Sequence, residues 1–187
     1  MKNAKSPDQS AADTLAGRLR NGDAQAATML DELYRAPLLR FCWGYLGSVE
    51  EAEDAIQEIW YKVLTAETVP ALFRPWLYKI ARNQALNMLR HRAACKDARQ
   101  LPAPSQVDAL LTGQLTRLVN EEAKSRLADL VATLSEAQRE TLRLRYVEGL
   151  SRAEIAEVLD VPVSAVKSRL FEGLKKLREH DSIADDT

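Results

Sequence analysis

Apolar positions recur at three- and four-residue spacing along most of the 187-residue chain, and no sustained apolar/polar alternation bounded by turn residues marks a strand. The pattern predicts an all-α protein. Over 11–98 the periodicity is punctuated at Asn21-Gly22-Asp23, Pro37, Gly47-Ser48 and Val69-Pro70, which read as short turns between packed helices. Residues 99–114 include Leu101-Pro102-Ala103-Pro104-Ser105, where two close prolines block a continuous helix and favour an extended connector. Periodicity resumes near Leu115. The expectation is two small helical domains, 11–98 and 115–180, joined by a flexible linker, 99–114, with a short, acidic, frayed end from Asp181 to Thr187.

Three helices carry a second face that the core does not require. Ser48 is placed to cap a helix whose first turn holds Glu50 and Glu51, where negative charge suits the positive end of the helix dipole. At about 100° per residue, Ala52, Ala55, Ile56, Ile59 and Val63 share its core side. Asp54, Gln57, Glu58 and Tyr61 lie opposite, as either a solvated acidic surface or a protein-docking face. Pro75 fits the first turn of the next helix, whose core stripe is Leu77, Ala81, Ala85 and Met88. Trp76, Lys79, Asn83, Asn87 and Arg90 stand on the other side, with Ile80 and Leu86 at the margins. An aromatic for stacking, cations for phosphates and amides for exposed base edges are what single-stranded DNA recognition needs. The alternative is a buried Trp76 with amides that are only solvated.

The stretch from Leu150 to Leu170 reads as a helix-turn-helix. Ser151 and Glu154 form a capping-box pattern, and Ala156 is small where two helices cross. Pro162 is expected to stop the first helix and Ser164 to cap the second. In that second helix Val166, Leu170, Gly173, Leu174 and Leu177 face inward. Ser164, Ser168, Phe171, Glu172 and Lys175 face outward, flanked by Lys167 and Arg169, as in a recognition helix entering a major groove. An αα-hairpin used only for packing is the alternative, and the basic residues beside the outer face count against it.

A net charge of −1 argues at first against a nucleic-acid partner, but the charge is segregated. Glu50 to Glu58 holds acids and no Lys or Arg; Arg74 to Arg99 and Lys167 to Arg178 are basic apart from Asp97 and Glu172. Local charge governs attraction to a polyanion, so two helices are candidate DNA surfaces and one a candidate protein surface. No apolar run approaches the roughly 18 residues of a membrane span, and the first residues lack the apolar core of a signal peptide. A cytoplasmic protein without membrane insertion is therefore expected. Cys42 and Cys95 read as free thiols. His91 and Cys95 are four apart on one helix, yet His180 is the only other His, so no metal site is expected. With no phosphate loop and no nucleophile paired to a base, neither a catalytic residue nor a cofactor is expected.

Taken together, Glu51-Ala52-Glu53-Asp54-Ala55-Ile56-Gln57-Glu58, Trp76-Leu77-Tyr78-Lys79-Ile80-Ala81-Arg82-Asn83, and Leu134-Ser135-Glu136-Ala137-Gln138-Arg139-Glu140 through Arg145-Tyr146 with the helix-turn-helix resemble the extracytoplasmic-function (ECF) sigma factors. The resemblance covers nearly the whole chain, with three motifs in the expected order. It implies that the acidic helix docks on the coiled coil of the largest RNA polymerase subunit, which replaces the solvated-surface reading. It also implies that the Trp76 helix melts and reads the minus-ten element as single strand. The C-terminal module would read the minus-thirty-five duplex beside the polymerase flap, and an anti-sigma protein is a candidate partner. The competing reading is a stand-alone helix-turn-helix regulator, which leaves the acidic and Trp/Asn faces unexplained. Glu172 departs from the basic or polar residue common in the family's recognition helix. Such an acid is tolerable if it meets cytosine N4 or is held by a neighbouring cation such as Arg169 or Lys175.

Overall fold

The computed structural model describes residues 9–94, 131 and 133–184, and every regular element among them is an α-helix. The chain divides into two compact units, 1–101 and 102–187. In the first, α1 (Gln9–Arg20), α3 (Val49–Leu64) and α4 (Phe73–Ala94) all pack on α2 (Ala24–Leu46), and α4 also meets α1 and α3. Leu30, Tyr34, Leu38 and Phe41 of α2 are fully buried against Ile59, Phe73, Leu77 and Tyr78, which supply the bulk of this core. Aromatic rings meet edge-on, Phe41 with Tyr78 at 5.1 Å and Tyr34 with Phe73 at 5.9 Å between centroids.

The turns at Asn21–Asp23 and Gly47–Ser48 form where expected. Asp23 caps α2 by accepting from the Gln25 N–H, and Arg18 pairs with the same carboxylate at 2.8 Å. The hydrogen bond from Arg18 holds the Asp23 carboxyl below its ordinary value. That contribution is complete above the ordinary carboxylate range and is lost as pH falls through the lowered value. Gly47 closes α2 in the left-handed region, with φ of 74°. Pro37 does not punctuate the chain as expected; it lies inside α2. Its ring removes one backbone hydrogen bond, but Leu30 and Tyr34 before it and Leu38 and Phe41 after it are all buried, so packing holds the helix on both sides.

In the second unit α5 (Glu136–Tyr146) and α6 (Arg152–Leu159) both pack on α7 (Val163–Ala184). Complete capping boxes start α5, through Ser135 and Gln138, and α6, through Ser151 and Glu154. Leu142, Leu144, Leu150, Ile155, Val158, Val166 and Leu170 form the core. Asp160, not Pro162, ends α6: it adopts the left-handed conformation (φ 57°, ψ 48°) and its N–H returns to the Ala156 carbonyl. Pro162 instead stands before α7, its carbonyl accepting from Ala165 and Val166 at 3.0 and 3.3 Å. Ser164 is consequently inside the first turn and is not the cap.

Candidate nucleic-acid interface

The outer side of α3 carries Asp54, Gln57, Glu58 and Tyr61, all exposed, while Ala52, Ala55, Ile56, Ile59 and Val63 are buried. Ser48 accepts from the Glu51 N–H, and its hydroxyl donates to Glu50 at 2.7 Å, which holds that carboxyl below its ordinary value. Beside this face an open groove of about 460 Å³ runs between α2 and α3, with Asp31, Arg35, Glu53, Gln57 and Trp60 among its walls. Asp31 is bonded to Arg35 at 3.0 Å through one oxygen.

On α4 the sequence offered two readings of Trp76, and the structure lies between them. The indole is half-buried, with its ring tilted against Phe73 at 5.9 Å. Asn83, Asn87 and Arg90 are exposed, and Lys79 is half-buried on the same side. Leu77, Ala81 and Ala85 are buried as expected, whereas Met88 is only half-buried. Sequence reasoning missed Tyr78 and Gln84, both buried in this helix. Gln84 accepts from the Lys62 ammonium, joining α4 to α3; its seven-residue spacing from Leu77 was the available signal.

Two of the basic residues in this run serve the fold. Arg74 is buried, and Arg92 donates to the Leu46 carbonyl at 3.2 Å and pairs with the Glu51 carboxylate. Arg92 thus ties the far end of α4 to the α2–α3 junction. Arg92→Ala is expected to lower the stability of this unit by about 1.5 kcal/mol, the lower end of the range for hydrogen bonds to charged groups, because the Glu51 carboxylate is partly exposed. Arg90→Ala, at an exposed position, should leave stability unchanged. Thermal unfolding of the two full-length variants compares them directly. Lys96, Arg99 and Cys95 lie outside the described residues; Cys42 is buried and forms no disulfide, and His91 is exposed. Among the described residues no group of three or more His, Cys, Asp or Glu is placed to hold a metal ion, and no helix is long and apolar enough to cross a membrane.

On α7, Ser164, Lys167, Ser168, Phe171, Glu172 and Lys175 are exposed, Phe171 by 70%, and Arg169 is half-buried. Val166, Leu170 and Gly173 are buried, with Leu174 and Leu177 half-buried. Glu172 is held by a group the sequence did not suggest: its carboxylate accepts from the Gln138 side-chain amide of α5 at 3.3 Å.

Residues 30–95 match the family model for sigma-70 region 2, and residues 124–177 match that for sigma-70 region 4. The ECF RNA polymerase sigma factor SigW of Bacillus subtilis (strain 168) is 28% identical over 172 residues, covering 87% of this chain and 92% of that protein. The chain belongs to the ECF sigma factors. The ECF RNA polymerase sigma-E factor of Escherichia coli (strain K12) is likewise 28% identical, over 84% of this chain and 87% of its own length. The fold is shared with CnrH, solved in complex with the cytosolic domain of CnrY, at a TM-score of 0.63 and 21% identity over 94% of this chain and 98% of that one. As an alternative sigma factor the protein directs transcription initiation, a non-catalytic task. A stand-alone helix-turn-helix regulator would not account for the region 2 match.

Proposed function

We propose that this ECF sigma factor divides initiation among its three exposed faces. The α3 face of Asp54, Gln57, Glu58 and Tyr61 docks on the coiled coil of the largest subunit of core RNA polymerase. The side of α4 formed by Trp76, Lys79, Asn83, Asn87 and Arg90 holds the unpaired strand of the minus-ten element. The side of α7 formed by Ser164, Lys167, Ser168, Arg169, Phe171, Glu172 and Lys175 enters the major groove of the minus-thirty-five duplex, with 115–180 seated by the flap. Residues 99–114 connect 11–98 to that module. Two binding modules on one connector raise each other's effective concentration once both sit on the polymerase. The protein works in the cytoplasm, where an anti-sigma protein is a further partner; that CnrH was solved with another protein's cytosolic domain supports this.

The observation that carries the reading is the exposed Asn83, Asn87 and Arg90 beside a half-buried Trp76 on α4, in the same unit as the exposed acids of α3. Stacking surface, amides and cation on one helix side suit unpaired bases better than duplex. Transcription by core polymerase from a library of promoter fragments, with and without the protein, tests it; initiation independent of promoter sequence would sink it. The same assay separates base reading from backbone holding. Asn83→Ala is expected to slow open-complex formation and relax preference at one minus-ten base. Lys79→Ala should weaken every promoter alike, since phosphate contacts carry no base information. Equal effects on all promoters would remove Asn83 from the reading set.

A further inference from the structure

The acid on the DNA-facing side of α7 is explained by α5. Gln138 is only 6% exposed, and its side-chain oxygen is already engaged. That oxygen accepts from the Ser135 N–H at 3.1 Å, completing the capping box, and from the Lys176 ammonium at 3.4 Å. The orientation of the amide is thereby fixed, and its NH2 end is directed to α7, where Glu172 accepts at 3.3 Å. A nearly buried amide donor needs an acceptor, and position 172 supplies one. The next residue, Gly173, lets the helices approach: a Cβ there would stand 3.0 Å from Leu142 Cδ1 and 3.8 Å from Gln138 Cβ.

We propose that Glu172 is a positioning residue for promoter recognition: held by Gln138, it sets the rotation of α7 on α5 and so decides which bases Ser164, Lys167, Ser168 and Phe171 face. This rests on the reading of α7 as the upstream-duplex reader. A carboxylate that read cytosine itself would govern one base pair. One that sets the rotation of the helix governs several together.

The test uses holoenzyme assembled from core RNA polymerase and the full chain, transcribing from a library with a randomised upstream element. Gln138→Glu keeps a capping-box acceptor but turns the donor toward Glu172 into a second carboxylate. It is expected to change preference at two or more base pairs by about fivefold each, the lower end of a single-mismatch effect. Glu172→Leu should give the same redistributed profile. Glu172→Gln keeps an acceptor and should preserve the wild-type profile while raising affinity for any duplex, because a negative charge is removed. Combining Gln138→Glu with Glu172→Gln restores a donor and an acceptor with their roles exchanged, and the wild-type profile should return. Neither a base-reading role nor a general loss of stability gives that rescue. If Gln138→Glu fails to fold, Glu172→Leu carries the test from an exposed position. A profile altered at one base pair by Glu172→Gln, or no recovery in the double variant, overturns the proposal. Absence of any upstream preference in wild-type holoenzyme would instead overturn the assignment of α7 itself.

Discussion

Reversing both Asp54 and Glu58 to Lys is expected to weaken association with core RNA polymerase by about 10- to 100-fold, since like charges set against a complementary surface cost several kcal/mol at most and these sites are partly screened. Both side chains are exposed on α3, turned away from Ile56, Ile59 and Val63 in the core. Lys is as good a helix former as Glu and better than Asp, so the helix itself is not weakened. Neither residue lies in the first turn, where the exchange would oppose the helix dipole; that position belongs to Glu50 and Glu51. The loss should therefore appear in binding without a shift in unfolding temperature. It should shrink as salt rises, because the electrostatic part is screened in wild type and variant alike. A titration of labelled core enzyme at low and moderate ionic strength measures both effects. Unchanged affinity at low salt would remove α3 as the docking surface.

Gly173→Val should have the second large effect, on the C-terminal unit. A single added carbon would already lie 3.0 Å from Leu142 Cδ1, and Val adds two more with little freedom to turn aside. Forcing α5 and α7 apart is expected to destabilise the unit toward the upper end of the roughly 1–3 kcal/mol typical of overpacking. Gly173→Ala makes a useful contrast. Its gain in helix propensity, about 1 kcal/mol, works against a shift of a few tenths of an ångström in Leu142, so the net change should be small. Urea unfolding of the full chain, followed by helical circular dichroism, compares the two. An unmoved transition in the Val variant would show that Leu142 yields freely and that close approach at Gly173 is not required.

What could be read from the sequence was local. Along α3 the period of apolar residues and the cap at Ser48 together assign a side to every residue, and Asp54, Gln57, Glu58 and Tyr61 are exposed accordingly. Pro37 misled because propensity describes an isolated helix, whereas α2 is packed on three others and tolerates a missing rung. Arg74, Gln84 and Arg92 carry polar groups that a pattern assigns to solvent. Arg92 meets partners 41 and 46 residues earlier in the chain, at Glu51 and Leu46, a distance that no helical period encodes. Gln138 was visible only as part of a motif. Its link to Glu172, 34 residues away, follows from the packing of α5 on α7, which Gly173 permits.

The left-handed Asp160 has a bearing on how such a protein can change. The corner between α6 and α7 is made by backbone: a non-glycine residue held at φ 57°, a return bond to Ala156, and a proline carbonyl opening the next helix. None of these depends on the exposed side chains of α7. On the proposed reading of α7, substitutions at Ser164, Lys167, Ser168 or Phe171 would rewrite the bases preferred while the corner that presents them stays as it is. Frame and alphabet would then be separately mutable, and a new regulon would lie within reach of a few surface changes. Glu172 would be the exception, because its bond from Gln138 ties it to α5 and so to the frame.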